Sequence, residues 1–563
     1  MITHDLIQVG IFFIALIALT PPLGLYIAKV YQSEPVFLTP VIQPVESFFR
    51  RLMGFEQKQA MDWKSYLLAL ICFNVLGFVL LLAMLLGQAW LPLNPQKLPG
   101  LSLPLAFNTA VSFMTNTNWQ AYSGESAISY FNQMAGVTTQ NFLSAATGLC
   151  AMVALIRGLA NKSVKSIGNF WTDILKGTLY ILLPLSIVLA VALAGQGVIQ
   201  NLSPYVTGKT LEGAEQVIPM GPAASQIAIK QIGSNGGGFF GVNSTHPFEN
   251  PTPFSNFLEM LSLLLIPSAL TFTYGRMVRD SRQGWVIFAA MLILLLAFFG
   301  SAWWAETQTN PVVPVMQNLE GKEVRFGVMN SVLWAVSTTA TSNGSVNTMH
   351  DSLSPLTGGI AMLNLMLGEV VFGGVGAGLY GILMHVLLTV FLAGLMVGRT
   401  PEYLGKKIEA REIRWALAAI LVPSALILIG SAIACTHACG LTSLANNGPH
   451  GLSEILYAFS SASNNNGSAF AGLTADTPFY NYALGLCMLI GRFTVIIPVM
   501  VIAGSMGIKK TAPPGPGTFP TTGLTFVILL VGVLIIIGAL TFFPSLTLGP
   551  IIEHYLMLQG RTF

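Results

Sequence analysis

Residues 461–470 read SASNNNGSAF, and three further stretches of the same kind punctuate the chain: TNTNWQ at 115–120, GSNGGGFF at 233–240 and TSNGSV at 341–346. Uncharged segments rich in Gly and Asn are ordinarily turns, but the setting of these four is unusual. The chain of 563 residues is 53% hydrophobic and only 9% charged, against about 25% charged in soluble domains. So little charge cannot solvate a globular surface, and the chain must face lipid. The net charge of +3 comes without any basic tract that would suggest nucleic acid.

A helix needs roughly 20 mostly apolar residues to cross a bilayer. Runs of that kind occupy 6–30, 65–91, 138–160, 171–195, 254–275, 285–305, 378–398, 413–436, 478–507 and 522–546. The expectation is an all-α polytopic membrane protein with ten transmembrane helices. The first run lacks a basic leader and a small-residue cleavage site, so it reads as a retained helix. Lys and Arg accumulate in cytoplasmic loops, and 19 of the 26 basic residues fall in loops without a polar segment. Lys29, Arg50, Arg51, Lys58 and Lys64 lie in one such loop, and Arg399, Lys406, Lys407, Arg411 and Arg414 in another. The polar segments therefore open to the outside, and ten spans place both termini there as well.

Each polar segment follows one span and a short amphipathic stretch and precedes a second span. Aligned on Asn116, Asn235, Asn343 and Asn466, the units are separated by 119, 108 and 123 residues. Such periodicity implies repeated structural units. The reading is four membrane–pore-loop–membrane repeats around a pseudo-fourfold axis, at 64–165, 166–280, 281–407 and 408–512. Residues 1–63 add an N-terminal helix and cytoplasmic loop, and 513–563 add a C-terminal helix and tail.

Non-helical backbone survives at membrane depth only where it is buried in protein or lines a water-filled cavity. Four segments meeting on one axis would present rings of backbone carbonyls able to replace the hydration shell of an alkali cation. Glycine permits the close approach, and Asn, Ser and Thr side chains brace the loop. A divalent site would carry carboxylates, and none of the four segments contains Asp or Glu.

Longer stretches carry a specific resemblance: GQAWLPLNPQKLPGLS at 87–102, NTAVSFMTNTNWQAYSGE at 108–125, and MGPAASQIAIKQIGSNGGGFFGVNSTHPFENP at 220–251. GEVVFGGVGAGLYG at 368–381, GRTPEYLGKK at 398–407 and SSASNNNGSAFAG at 460–472 continue it. Almost end to end, the chain resembles the potassium-binding A subunit of the bacterial Kdp-type potassium-transporting ATPase, within the superfamily of potassium transporters that includes the Trk/Ktr proteins. The resemblance implies a multi-pass subunit of the bacterial plasma (inner) membrane. It would bind external K+ in a filter and pass it through an intramembrane tunnel to a P-type ATPase subunit (B), with small accessory subunits (C and F) completing the complex. ATP and Mg2+ belong to that partner. The filter positions that carry over are Thr115, Asn116, Thr117 and Asn118; Ser234, Asn235 and Gly236; Ser342, Asn343 and Gly344; and Asn465, Asn466 and Gly467. The first segment has no glycine, so its register stays open.

GEVVFGGVGAGLYG superficially offers a nucleotide-loop spacing, but no strand precedes it. It reads as a break in the second helix of the third unit, with Gly373 and Gly374 loosening the backbone; in the family this loop is thought to obstruct direct passage to the cytoplasm. Glu369 at its start and Arg492, within the last repeat's second span, are ionisable groups inside the hydrophobic region, where charge is costly and faces a cavity or a partner. They either pair to hold two helices together or route the cation, Glu369 attracting it and Arg492 repelling it from the cytoplasmic exit. Gln120 either shapes the filter entrance or bonds its own loop. Glu249 and Asp351 either concentrate cations at the mouth or cap the next helix.

Other signals point away from catalysis. TGKT at 207–210 ends like a phosphate loop, but Ser203 stands where that motif needs glycine. No DKTGT phosphorylation sequence is present, and this chain alone is expected to be no enzyme. Cys435 and Cys439 around His437 read as incidental spacing. Two other roles remain open: an autonomous Trk/Ktr-like channel or symporter, and a scaffold whose repeats are structural only.

Overall fold

A computed structural model describes residues 2–54, 60–312, 318–513, 515 and 518–561; Lys58 lies outside them. Among the described residues, ten helices are long and apolar enough to cross a membrane. They run His4–Tyr31, Trp63–Leu86, Asn132–Ala160, Phe170–Gly195, Pro253–Met277, Ser281–Glu306, Ala377–Met396, Ala410–Thr436, Pro478–Ile508 and Leu524–Leu558. Their starts follow local chemistry. Asp62 and Thr477 accept hydrogen bonds from backbone amides in the first turns that follow them, and Thr252 forms a reciprocal capping box with Ser255.

Burial sorts the spans into two rings. In the second span of each repeat, between 61 and 83% of the apolar stretch is buried; in the first spans it is 22–50%. The second spans thus form the inner wall, and the first spans face lipid. The N-terminal helix packs along Pro253–Met277 and the last helix against Ser281–Glu306, both outside the ring.

Between the two spans of each repeat lies a shorter helix: Leu103–Met114, Ala223–Ile232, Gly327–Ala340 and Gly448–Ser463. At 10–16 residues these reach roughly 15–24 Å, short of the ~30 Å hydrocarbon core. Each ends in buried, non-helical backbone at one of the polar segments.

Two departures from the sequence reading have physical causes. The second span stops at Leu86, not at residue 91, because Gly87 ends it and a 3-10 turn follows at Gln88–Trp90. The buried Gln88 side chain there donates to the carbonyls of Pro99 and Ala127. The last span continues past residue 546 to Leu558 through a kink at Gly549. As expected from GEVVFGGVGAGLYG, the third repeat's inner helix is split into Pro355–Met366 and Ala377–Met396, and the joining residues 367–376 carry left-handed backbone at Gly368, Phe372 and Gly376. The TGKT tetrapeptide sits in an antiparallel ribbon, Val206–Lys209 against Glu215–Ile218, with no helix to open a phosphate loop.

Candidate functional site

The four polar segments share one backbone solution. Each short helix ends two residues before a pair of left-handed positions two apart: Asn116 and Asn118, Ser234 and Gly236, Ser342 and Gly344, Asn465 and Gly467. In every segment the amide between these two returns to a carbonyl in the last turns of its helix. Thr117 donates to Ser112, Asn235 to Lys230, Asn343 to Thr338 and Asn466 to Ser461. This pattern aligns Asn116 with Ser234 and Thr117 with Asn235. The sequence equivalence of Asn116 with Asn235 is therefore corrected by one residue, and Asn118 stands in the place taken by glycine elsewhere.

The segments close into a ring. A Cβ on Gly236 would collide with the Asn343 carbonyl, one on Gly344 with that of Asn466, and one on Gly467 with that of Thr117. The remaining contact is made by side chain, where Asn116 Nδ2 donates to the Ser234 carbonyl at 2.9 Å. Further bonds tie neighbours together. Asn465 Nδ2 reaches Thr117 Oγ1 at 2.9 Å, Asn466 Nδ2 reaches the Thr338 carbonyl at 2.8 Å, and Asn343 Nδ2 reaches the Lys230 carbonyl at 3.3 Å. Asn116 Oδ1 accepts from Ser144 and Asn235, and Asn118 Nδ2 donates to Asn141. Thr115 and Thr117 share a hydroxyl bond at 2.7 Å. Gln120 clamps the first loop to the second, donating to the Gly238 carbonyl and accepting from the Gly238 amide at 2.9 and 2.8 Å.

With side chains and amides turned outward, the carbonyls are left over. No donor among the described residues reaches those of Thr115–Asn118, Asn235–Gly236, Ser342–Gly344 or Asn465–Gly467, although nearly all these residues are buried. Buried carbonyls without partners are rare. A ring of them offers neutral oxygen ligands to a cation whose own water shell has been removed.

Sequence reasoning missed the charge behind this ring. Lys230, fully buried, pairs with buried Glu249 and lies 3.2 Å from Ser244 Oγ. Ser244 Oγ and Gln231 Nε2 both donate to buried Glu259, at 2.8 and 2.9 Å. The Lys230 carbonyl meanwhile accepts from the amides of Asn235 and Gly236 and from Asn343. The available signal was a lone lysine in the apolar helix IAIKQI, since a buried ion needs a partner. Glu249 consequently neither faces the mouth nor caps a helix; Thr252 caps the helix after it. Asp351 caps none either, and ion-pairs with His450.

Elsewhere in the fold, Glu369 and Arg492 approach to 3.9 Å. Both line a pocket together with Tyr380, His385, Asn464 and Asn465. Gly373 is packed so that a Cβ would strike the Glu369 carbonyl, whereas one on Gly374 would meet only ordinary contacts. Cys435 and Cys439 are both free thiols.

Four re-entrant helices, a shared extended segment and a lipid-facing outer ring define a pore-loop membrane fold of the potassium-transporter type. The crystal structure of the potassium transporter TrkH from Vibrio parahaemolyticus has that fold: it superposes with a TM-score of 0.51 at 15% identity, covering 86% of this chain and 97% of that one. Sequence narrows the class. Residues 10–555 match the family described as potassium-transporting ATPase A subunit, and the chain belongs to that family. The protein named potassium-transporting ATPase potassium-binding subunit in Leptospira interrogans (serovar copenhageni) is 55% identical over 559 residues, 99% of each chain. The Pseudomonas aeruginosa protein of the same name is 56% identical over 557 residues, 98% of this chain and 99% of that one.

Proposed function

We propose that this chain is the potassium-binding and translocating subunit of an ATP-driven, high-affinity potassium uptake complex in a bacterial inner membrane. The observation that carries the reading is the ring of donor-free buried carbonyls on Thr115–Asn118, Asn235–Gly236, Ser342–Gly344 and Asn465–Gly467. External K+ sheds water at the filter, where carbonyl oxygens replace its hydration shell and Asn, Ser and Thr side chains hold the spacing. Gln120 fixes the entrance by joining two loops. The segments carry no carboxylate, which favours a weakly hydrated monovalent ion over a divalent one.

Below the filter the ion enters the cavity shared by Glu369 and Arg492. The broken stretch 367–376 with Gly373 and Gly374 obstructs the way to the cytoplasm, Glu369 attracts the ion and Arg492 repels it. Charges about 4 Å apart at an effective dielectric near 20 interact by roughly 4 kcal/mol, enough to turn a dehydrated cation sideways into an intramembrane tunnel. The route leads to a P-type ATPase subunit, which holds ATP and Mg2+, with small accessory subunits completing the assembly. Both termini lie outside the cytoplasm. This chain itself performs no catalysis.

Arg492→Met tests the routing in the reconstituted complex. Assembly and potassium-stimulated ATP hydrolysis persist, while uptake per ATP falls. If Glu369 and Arg492 are scaffolding, the single variant loses assembled complex and an apolar double replacement restores normal uptake; that result defeats the routing. Potassium-dependent ATP hydrolysis by this chain purified alone would defeat the division of labour.

A further inference from the structure

The outer start of the fourth pore helix carries a cluster that the filter reading does not use. His450 lies 3.0 Å from Asp351 Oδ1 through Nε2 and 2.8 Å from Glu553 Oε1 through Nδ1. Asp351 comes from the turn after the third filter segment and Glu553 from the final helix Ile552–Leu558. A carboxylate only accepts, and a neutral imidazole has a single N–H. Both contacts are satisfied together only when both ring nitrogens carry protons.

From this ring a continuous line of contacts leads to the filter. His450 stacks on Phe470 at 5.8 Å and 13°, and Phe470 on Tyr457 at 4.3 Å and 23°. Tyr457 Oη is 2.8 Å from Ser468 Oγ and 2.7 Å from His350 Nδ1. Ser468 Oγ donates to Asn466 Oδ1 at 2.5 Å, and its amide to the same oxygen at 2.9 Å. Because that oxygen can only accept, the direction of the chain follows: His350 N–H to Tyr457, Tyr457 O–H to Ser468, Ser468 O–H to Asn466.

We propose that His450 is a positioning residue of the filter: as an imidazolium held on two sides by Asp351 and Glu553, it fixes Phe470 and Tyr457, and through Ser468 the carbonyls of Asn465–Gly467. The inference rests on the filter reading above. Burial alone would lower the proton affinity of His450, but its two carboxylate partners outweigh burial and raise its pKa to about 10. Glu454, one turn further along the same helix, adds negative charge close to Asp351 across Gly472. Buried His350 is pushed down to about 4 and is the neutral member of the chain. A raised folded-state pKa stabilises fully below the ordinary histidine value of about 6.5. The clamp is then lost as pH rises through about 10.

The test is equilibrium binding of radioactive rubidium, as a potassium substitute, to the assembled detergent-solubilised complex. His450→Gln weakens binding about tenfold, the scale of one coupled network contact, with the maximum number of sites unchanged. Phe470→Leu, which leaves both ion pairs intact, shifts it in the same direction. His450→Arg, which keeps a cation between the carboxylates, recovers most of the loss. Wild-type affinity falls near pH 10, and the His450→Gln variant lacks that fall. Gly467→Ala is the control for the filter. If it abolishes binding while His450→Gln leaves affinity unchanged, the positioning role is wrong and the filter stands; if neither has an effect, both readings fail. Asp351, His450 and Glu454 also bring ligand atoms within 4.8 Å of one another. If added Zn2+ restores the affinity of chelator-treated wild type at neutral pH, the cluster is a metal site and the proposal is overturned.

Discussion

Three of the four polar segments contain glycine at their second left-handed position; the first has Asn118, with φ of 52°. The comparison shows what the glycines are for. At Gly236, Gly344 and Gly467 a side chain would run into the carbonyl of the adjacent segment, so glycine there is required by space as well as by φ. Asn118 tolerates left-handed backbone as asparagine does, and the space has been cleared on the other side of the contact. A Cβ on Gly237, in the second segment, would sit 2.6 Å from the Asn118 Cβ. Ring closure thus requires one missing Cβ per junction, and either partner can supply it.

The strongest break of this comparison is alanine at Gly236, Gly344 or Gly467. Each adds overlap with a neighbouring carbonyl to left-handed strain. Overpacking of ~1–3 kcal/mol plus ~1–2 kcal/mol of left-handed penalty predicts roughly 30-fold or greater loss of potassium affinity. Potassium and rubidium dependence of ATP hydrolysis in the reconstituted complex measures it. Normal affinities in all three variants would remove the filter assignment.

Gly237→Ala is the next largest. Gly237 has no left-handed φ, so only the overlap with Asn118 and, at 3.1 Å, with Phe113 counts. A loss of about tenfold is expected from overpacking alone, measured by the same titration. An effect equal to that of Gly344→Ala would mean that strain, not space, ranks these positions.

What could be read in advance follows from how local each feature is. The ten spans and the four polar segments were legible because apolar length and an Asn/Gly signature are properties of contiguous sequence. The register of TNTN was not, since its compensating glycine lies in another segment, 119 residues further on in the chain. The Lys230–Glu249–Glu259 network and the His450 clamp were likewise hidden: their partners come from different helices and turns, and a carboxylate near a helix start reads as a cap when its cation is unknown. Glu369 and Arg492 were noticed for the opposite reason, since charge inside an apolar run stands out before its partner is known.

The smallest effect sharpens the comparison most. Asn118→Gly removes the Cβ that faces Gly237 and the 2.6 Å bond from Nδ2 to Asn141 Oδ1. It leaves the amide of residue 118 bonded to the Ser112 carbonyl. Glycine adopts left-handed φ freely, so the only cost is one side-chain hydrogen bond, about 0.5–1.5 kcal/mol, partly offset by relief of the asparagine's own backbone strain. Potassium affinity should fall by no more than about threefold to fivefold. The decisive measurement is the double variant. If space at this junction is what matters, Asn118→Gly relieves the crowding created by Gly237→Ala, and the pair binds potassium more tightly than Gly237→Ala alone. Simple addition of the two losses would show instead that Gly237 serves the backbone of its own segment, and that the first junction of the ring closes by a different rule from the other three.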